Sequence, residues 1–129
     1  MQPRQITCPQ PVLSPMHEIM LARDLLDAIE RNLGSDEVRV VRVDIRIGSA
    51  AGIVSESLRF AFRALAEGTR ADRAELAIAT VSARSRCGNC GILFEFEGLI
   101  GRCPACGRLG GELLSGDEMI LRTIEVADV

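Results

Sequence analysis

The sequence contains no lysine, no tryptophan and no tyrosine, and its single histidine is His17. Without lysine it cannot contain the P-loop pattern G-x-x-x-x-G-K-[ST] that binds nucleotide phosphates. With one histidine and no Ser-His-acid set it shows no pattern for nucleophilic catalysis, so an enzyme is the weakest interpretation. Aromatic residues make up 3% of the chain against an apolar fraction of 47%, and the core must therefore be built mainly from aliphatic side chains.

Charge and hydropathy exclude further classes. The net charge of −3 argues against a general nucleic-acid binder, which needs a basic surface. No run of 18 apolar residues is present, and the sequence predicts no transmembrane helix and no membrane association. We see no signal-peptide pattern, and thiols kept reduced for a metal predict a cytoplasmic protein. A length of 129 residues favours one domain, or one small domain that carries an insert.

Two C-x-x-C pairs are the strongest signal in the chain. Cys87 and Cys90 form the first pair, Cys103 and Cys106 form the second, and twelve residues separate the pairs. Glycine follows the second cysteine of each pair, which allows a turn with positive φ and backbone N–H groups directed at sulfur. Four thiolates at this spacing can converge on one ion in the tetrahedral arrangement of closed structural zinc sites. The sequence therefore predicts a structural Zn²⁺ site.

Other interpretations of the cysteines are weaker. A thioredoxin-like redox motif needs only one pair, and disulfides are expected in secreted chains. Iron held as in rubredoxin uses similar turns and remains open, although a far larger spacing is usual there. Between the pairs, Phe94 and Phe96 alternate with glutamates in a strand-like pattern that is expected to bury both rings beneath the metal. A closed four-cysteine site has no position for substrate, so it predicts a stable module without indicating its purpose.

Hydrophobic periodicity predicts two amphipathic helices. The first covers residues 16–33 and the second covers residues 54–67, with Ser55 as the N-cap of the second. The apolar faces consist of Ile19, Ala22, Leu25, Leu26, Ile29 and Leu33 in the first helix, and of Val54, Leu58, Ala61, Phe62 and Leu65 in the second.

Alternating patterns predict three strands outside the cysteine module, at residues 38–47, 75–82 and 118–126. The order strand, helix, strand fits a crossover between parallel strands, although other pairings remain open. The predicted buried positions are Val41, Val43, Ile45 and Ile47 in the first strand, Leu76 and Ile78 in the second, and Ile120, Ile124 and Val126 in the last.

These elements give an α+β fold with a small mixed sheet and two helices. The cysteine module, residues 84–116, lies between two strands, so the main domain is expected to comprise residues 16–83 and 117–129. Residues 1–15 contain Pro3, Pro9, Pro11 and Pro15 without periodicity, and we expect them to form an unstructured extension.

Five stretches support a family resemblance in combination. They are M-H-E at residues 16–18, I-G-x-x-A-G-I at 47–53, E-S-L-R-F-A-F-R-A-L-A-E-G-T at 56–69, the paired C-x-x-C-G and C-P-x-C-G turns, and G-D-E-M-I-L-R-T-I-E-V at 116–126. From residue 16 to about residue 126 the chain resembles the HypA/HybF family of hydrogenase maturation factors that handle nickel. The resemblance implies an α/β nickel-binding domain with a zinc ribbon inserted before its final strand.

The resemblance also implies sites and partners. Nickel is held in the family at the N-terminus, and the matching positions here are Met16, His17 and Glu18. The expected function is that of a nickel metallochaperone that delivers Ni²⁺ during maturation of [NiFe]-hydrogenase, with a structural zinc. Its expected partners are a nickel-handling maturation GTPase and the hydrogenase large-subunit precursor. Ni²⁺ favours nitrogen ligands, which agrees with an imidazole at the centre of the site.

The chain departs from the family pattern at one point. Because residues 1–15 precede it, the nitrogen of Met16 is an amide that follows Pro15 rather than a free amine. Translation starts at Met16, or the extension is removed, or nickel binds differently and more weakly. The lack of pattern before Met16 favours the first of these interpretations.

The alternative function is a zinc-ribbon adaptor that binds nucleic acid or a protein complex. Arg84, Arg86, Arg102 and Arg108 are opposed by two glutamates and by the roughly −2 charge of a zinc ion with four thiolates. The ribbon then has almost no net charge, which argues against binding to nucleic acid.

Overall fold

The computed structural model describes residues 3–12 and 17–129, apart from the side chain of Cys8. Within these residues the chain forms two α-helices, seven strands and one 3₁₀ turn. In chain order the elements are β1 (Arg4–Val12), α1 (Glu18–Leu33), β2 (Val38–Gly48), the 3₁₀ turn (Ser49–Ala51), α2 (Ser55–Ala66), β3 (Glu75–Val81), β4 (Ala83–Arg86), β5 (Leu93–Phe96), β6 (Glu112–Ser115) and β7 (Met119–Asp128). No helix in the described part of the chain is both long and apolar enough to cross a membrane.

The strands form two sheets, which confirms the α+β class. The main sheet has the order β1-β7-β2-β3, and the ribbon sheet has the order β5-β4-β6. β2 and β3 are parallel and are joined through α2, as the strand-helix-strand pattern predicts, whereas β7 is antiparallel to β2 and to β1. The main sheet is therefore mixed, and the ribbon sheet is inserted between β3 and β7.

The core of the main domain lies between the two helices and one face of the main sheet. Leu25, Ile29, Leu58 and Phe62 from the helices are at most 2% exposed, and side chains from β2 and β7 meet them. Burial of one such side chain contributes about 1.5–3 kcal/mol, so this interface holds the helices on the sheet. The remaining face of the sheet is polar along β2 and β7.

Two β-bulges change which strand residues are buried. The β2–β7 pairing skips Val41 and later skips Arg122, and one extra residue reverses the alternation of faces. Val40 is consequently buried while Val41 is 36% exposed, and Leu121 is buried while Ile120 is only half-buried. The predicted burial of Val41 and of Ile120 on the core face is therefore wrong.

The N-terminal ends of the helices also differ from the prediction. Ile19 is 64% exposed and Val54 is 57% exposed. Ile19 lies in the first turn of α1, at the border of the buried stripe and about 40° around the helix from Leu33. The N-cap of α2 is Val54 rather than Ser55, and it makes no side-chain capping hydrogen bond.

The prediction of an unstructured extension is wrong for residues 4–12. β1 pairs along the outer side of β7, with Val12 buried and Ile6 packed against the core. The Asn32 side chain of α1 donates a hydrogen bond of 2.8 Å to the Gln10 side chain. Pro9 falls where the register shifts between Thr7 and Gln10, and an edge strand tolerates a missing N–H there. Residues 13–16 lie outside the described part of the chain.

The ribbon joins the main sheet through a closely packed junction. A Cβ atom on Gly48 would lie 2.0 Å from the Gly116 carbonyl oxygen, and one on Gly116 would lie 2.4 Å from the Cα of Ala83. The backbone N–H of Ala50 donates to the Gly116 carbonyl at 2.8 Å. The two segments that connect the ribbon to the main sheet, near Ala83 and near Gly116, therefore pack against each other and against the end of β2.

Candidate metal sites

The four predicted cysteines meet at one point of the ribbon. Their sulfur atoms all lie within 4.8 Å of one another, with Cys87 Sγ and Cys106 Sγ 3.5 Å apart and Cys90 Sγ and Cys103 Sγ 3.6 Å apart. Zn–S bonds of about 2.3 Å in a tetrahedron place the sulfurs about 3.8 Å apart. The cluster therefore fits a structural Zn²⁺ ion.

The two cysteine turns have the same backbone geometry. In the first, Cys87 N–H donates to the Ile92 carbonyl at 2.9 Å, and Gly91 N–H donates to the Cys87 carbonyl at 3.0 Å. In the second, Gly107 N–H donates to the Cys103 carbonyl at 2.9 Å. Gly91 and Gly107 have φ of 80° and 79°, which confirms the predicted positive-φ turns. Each pair of cysteines is therefore held by a turn with the same hydrogen-bond pattern.

Hydrogen bonds divide the thiols by acidity. The backbone N–H groups of Cys90 and Asn89 donate to Cys87 Sγ and lower the pKa of Cys87 to about 6. For Cys90, the Ile92 N–H acts in the lowering direction, but the neighbouring Cys103 sulfur and burial outweigh it and raise the pKa to about 11. A metal must therefore displace protons from part of the cluster, and its binding weakens as pH falls.

A small aromatic core supports the sulfur cluster. Phe94 is 6% exposed and packs with Cys87 and Cys103, while the Phe96 ring lies with its centroid 5.9 Å from that of Phe94. The predicted burial of aromatic rings beneath the metal is confirmed for Phe94, and Phe96 is half-buried. Since this core is so small, we expect the ribbon to depend on the metal for its stability.

Two of the predicted nickel residues, His17 and Glu18, lie at the start of α1 in the main domain. His17 is the exposed N-cap of α1, and its carbonyl accepts the Leu21 N–H at 2.9 Å. Glu18 is half-buried, and its carboxylate accepts the Val54 N–H at 3.2 Å. Met16, the third predicted residue, lies outside the described residues. Among residues 3–12 and 17–129, only the four cysteines bring three or more metal-ligand atoms together.

His17 and Glu18 border a pocket of about 550 Å³ between α1 and α2. Its walls include Ile19 and Phe60, which are 64% and 75% exposed, and Glu56 adds a second carboxylate to the lining. The sequence analysis did not identify Glu56 or Phe60 as site residues. The sequence feature that could have indicated this surface is Phe60, an aromatic residue two positions before the buried Phe62 and therefore on the outer face of α2.

The fold and the sulfur cluster define a two-part metal-binding protein, in which a helix-covered sheet carries an inserted four-cysteine ribbon. Residues 16–126 match the family model HypA, described as hydrogenase/urease nickel incorporation, metallochaperone. The chain belongs to the HypA family, and the family resemblance in the sequence is confirmed.

Individual relatives extend over nearly the whole matched region. The chain is 39% identical over 114 residues to the hydrogenase maturation factor HypA of Chlorobium limicola, which covers 88% of this chain and 98% of the relative. It is 37% identical over 110 residues to the protein of the same name from Chlorobium luteolum, covering 84% and 94%. The solution structure of the Ni metallochaperone HypA from Helicobacter pylori aligns with a TM-score of 0.62 and 23% identity, covering 88% of this chain and all of that chain. This last similarity supports the fold.

The family assignment establishes the general function. The chain is a nickel metallochaperone for hydrogenase maturation, and its four cysteines fit the structural zinc site. The family comprises metallochaperones rather than catalysts. This assignment replaces the alternative of a zinc-ribbon adaptor.

Proposed function

We propose that the chain carries Ni²⁺ at the start of α1 and delivers it to the large-subunit precursor of a [NiFe]-hydrogenase, together with a nickel-handling GTPase. The observation that supports this proposal most directly is the position of His17 and Glu18, adjacent at a helix start and at the rim of an open pocket. A carrier must release its ion, and an exposed site with few ligands suits that requirement.

The ligand chemistry is consistent with nickel. The exposed His17 imidazole supplies the nitrogen that Ni²⁺ favours, and the Glu18 carboxylate retains one oxygen beyond the hydrogen bond to Val54. In the proposed site Met16 contributes its backbone nitrogen, which is an amide in the chain with its extension. In a chain that begins at Met16 it would be an amine with a pKa of about 7.7–8.0, which loses its proton to a metal more easily.

The two metals then have different roles. Zinc is enclosed by four sulfur atoms, so it stabilises the ribbon and has no open position for a substrate. Nickel is the cargo, and the chain acts as a carrier rather than an enzyme. Because the four thiols must remain reduced to bind zinc, we place the protein in the cytoplasm.

The substitution His17→Ala tests this proposal. We expect the variant to lose specific nickel binding while its zinc content and backbone spectrum stay unchanged, because His17 lies far along the chain from the cysteines and is exposed. Calorimetric nickel titration and elemental analysis measure the two metals separately. Unchanged nickel affinity, or nickel bound by sulfur in an X-ray absorption spectrum, would contradict the assignment.

Delivery is tested in cells. A strain that lacks this protein should recover [NiFe]-hydrogenase activity with the native chain but not with His17→Ala at equal expression. Co-purification of the native chain with the GTPase and with the large-subunit precursor is the matching test of the partners. Full hydrogenase activity with His17→Ala would show that nickel delivery does not use this site.

A further inference from the structure

The two edges of the main sheet are protected differently. β1 covers the outer side of β7, and β1 itself contains Pro9 and Pro11, which have no N–H to offer a further strand. β3 forms the opposite edge with the sequence E-L-A-I-A-T-V, which contains no proline and no charge after its first residue. In the described part of the chain no strand pairs with the outer side of β3. Such an edge is a template for another extended chain, and proteins usually block it unless a partner uses it.

Two pockets flank this edge, one on each face of the sheet. A pocket of about 390 Å³ lies between α2 and β3 and includes Arg59 and Arg63. A second, of about 420 Å³, lies on the polar face of the sheet and includes Arg46 and Arg122. Both reach the middle of β3, so side chains that alternate along an added strand would enter one pocket and then the other.

The flanking arginines form no ion pair with the acidic residues that the structure describes. Among the described residues, the ion pairs formed within 4.0 Å involve none of Arg46, Arg59, Arg63 and Arg122. Arg42, by contrast, pairs with Asp44 at 3.0 Å and with Glu75 at 3.5 Å. Arg59 Nε donates to the Leu76 carbonyl of β3 at 3.4 Å, so the guanidinium lies beside the strand. The carboxylates that also line these pockets, Glu75 and Asp44, are both paired with Arg42, so the uncharged part of β3 is flanked by four arginines that form no ion pair among the described residues.

We propose that the outer edge of β3 binds an extended, acidic segment of a partner protein as an additional strand. Backbone hydrogen bonds to β3 provide the affinity, and acidic side chains directed into the two pockets provide the specificity. A second copy of this chain is the poorer occupant, because pairing of two β3 edges brings their flanking arginines together. The proposal concerns partner recognition and holds whether or not nickel binds at His17.

Peptides provide the test with the full, zinc-loaded chain. The probe is the capped octapeptide TEVEEVET, which has acidic residues on both faces when extended, and the control is TKVKKVKT. We expect the acidic peptide to shift the amide resonances of residues 75–81 and to slow their hydrogen exchange. The double variant Arg59→Glu, Arg63→Glu should weaken binding by about tenfold, because two attractive contacts become repulsive. The matched variant Arg23→Glu, Arg31→Glu alters two exposed arginines of α1 and should bind as the native chain does.

Several results would overturn the proposal. They are no binding of TEVEEVET, equal binding of TKVKKVKT, resonance shifts confined to residues outside α2, β2, β3 and β7, and a concentration-dependent dimer of the free chain that protects the β3 amides. If the α2 double variant does not fold, Arg46→Glu on the polar face of the sheet replaces it, since Arg46 is exposed. Undiminished binding by that variant would equally contradict the role of charge.

Discussion

The carboxylate of Glu18 accepts the backbone N–H of Val54 at a distance of 3.2 Å. This hydrogen bond ties the first turn of α1 to the residue that precedes α2, although the two residues are 36 positions apart in the chain. Glu18 therefore contributes to the shape of the pocket beside His17 in addition to its proposed part in nickel binding. The two roles use the same carboxylate and can be separated by substitution.

Replacing Glu18 by glutamine or by alanine separates those roles. Glu18→Gln keeps an oxygen that accepts the Val54 N–H, so unfolding free energy should change little, while nickel affinity should fall with the loss of the charge. Glu18→Ala loses both the charge and the hydrogen-bond acceptor for the Val54 N–H. It should therefore lower the nickel affinity and also reduce the unfolding free energy by about 1 kcal/mol. Denaturant unfolding and nickel titration of each variant provide the measurements. Native nickel affinity in Glu18→Gln would show that Glu18 is not a ligand.

Removal of one zinc ligand should unfold the ribbon and leave the main domain folded. We expect Cys103→Ser to lose zinc and to lose the dispersed resonances of residues 84–115, because the small core around Phe94 cannot hold the ribbon alone. The resonances of α1, α2 and the main sheet should persist. The control is Cys8→Ser, which leaves the four-cysteine cluster intact and should retain zinc. Simultaneous cooperative loss of both domains would show that zinc also stabilises the main sheet.

The N-terminal strand should stabilise the main domain. Val12→Ala removes buried apolar surface and should lower the unfolding free energy by roughly 1–2 kcal/mol. Gln5→Ala, at an exposed position on the same strand, is the control and should change it little. A chain that starts at Met16 should be less stable still, yet should bind nickel more tightly above about pH 8 through its free amine. Equal stability of the native chain and Val12→Ala would mean that β1 is not docked in solution.

Asp44 should contribute stability that depends on pH. Burial acts to raise the pKa of Asp44, but hydrogen bonds from Arg42 and Thr123 outweigh it and lower the pKa. Because the folded pKa lies below the unfolded value of about 3.9, the contribution is present above that pH and is lost as pH falls through the folded value. Asp44→Asn should therefore cost about 1 kcal/mol near neutral pH and almost nothing in strong acid. Denaturant unfolding at both pH values tests the sign, and an equal cost at both would contradict it.

The sequence was most informative where a pattern depends on near neighbours. The C-x-x-C spacing predicted the sulfur cluster, and the alternation in β2 and β3 with a helix between them predicted a parallel pair. The burial of Val41 and Ile120 was predicted incorrectly because a bulge depends on which strand lies opposite, and that partner is more than 70 residues away. The burial of Val12 was missed for a related reason. The prolines of residues 1–15 suggest disorder, and the strand becomes evident only when β7 provides an edge with which it can pair.

The candidate nickel site shows the same limit. His17 and Glu18 were identified from the family resemblance, and their position at the start of α1 followed from the helical pattern. The pocket beside them arises only when α1 packs on α2, which brings Phe60 and Glu56 next to His17. No periodicity within one helix predicts a surface that two helices share.

The close contact between Gly48 and Gly116 restricts the movement of the ribbon relative to the main sheet and limits which ribbons can replace it. The space between these residues cannot hold even one methyl group, so the orientation of the ribbon relative to the main sheet is fixed by direct backbone packing. A ribbon transplanted from a relative will keep its orientation only if glycine is retained at both positions. A larger side chain at either position would clash with the backbone and displace the ribbon from the end of β2.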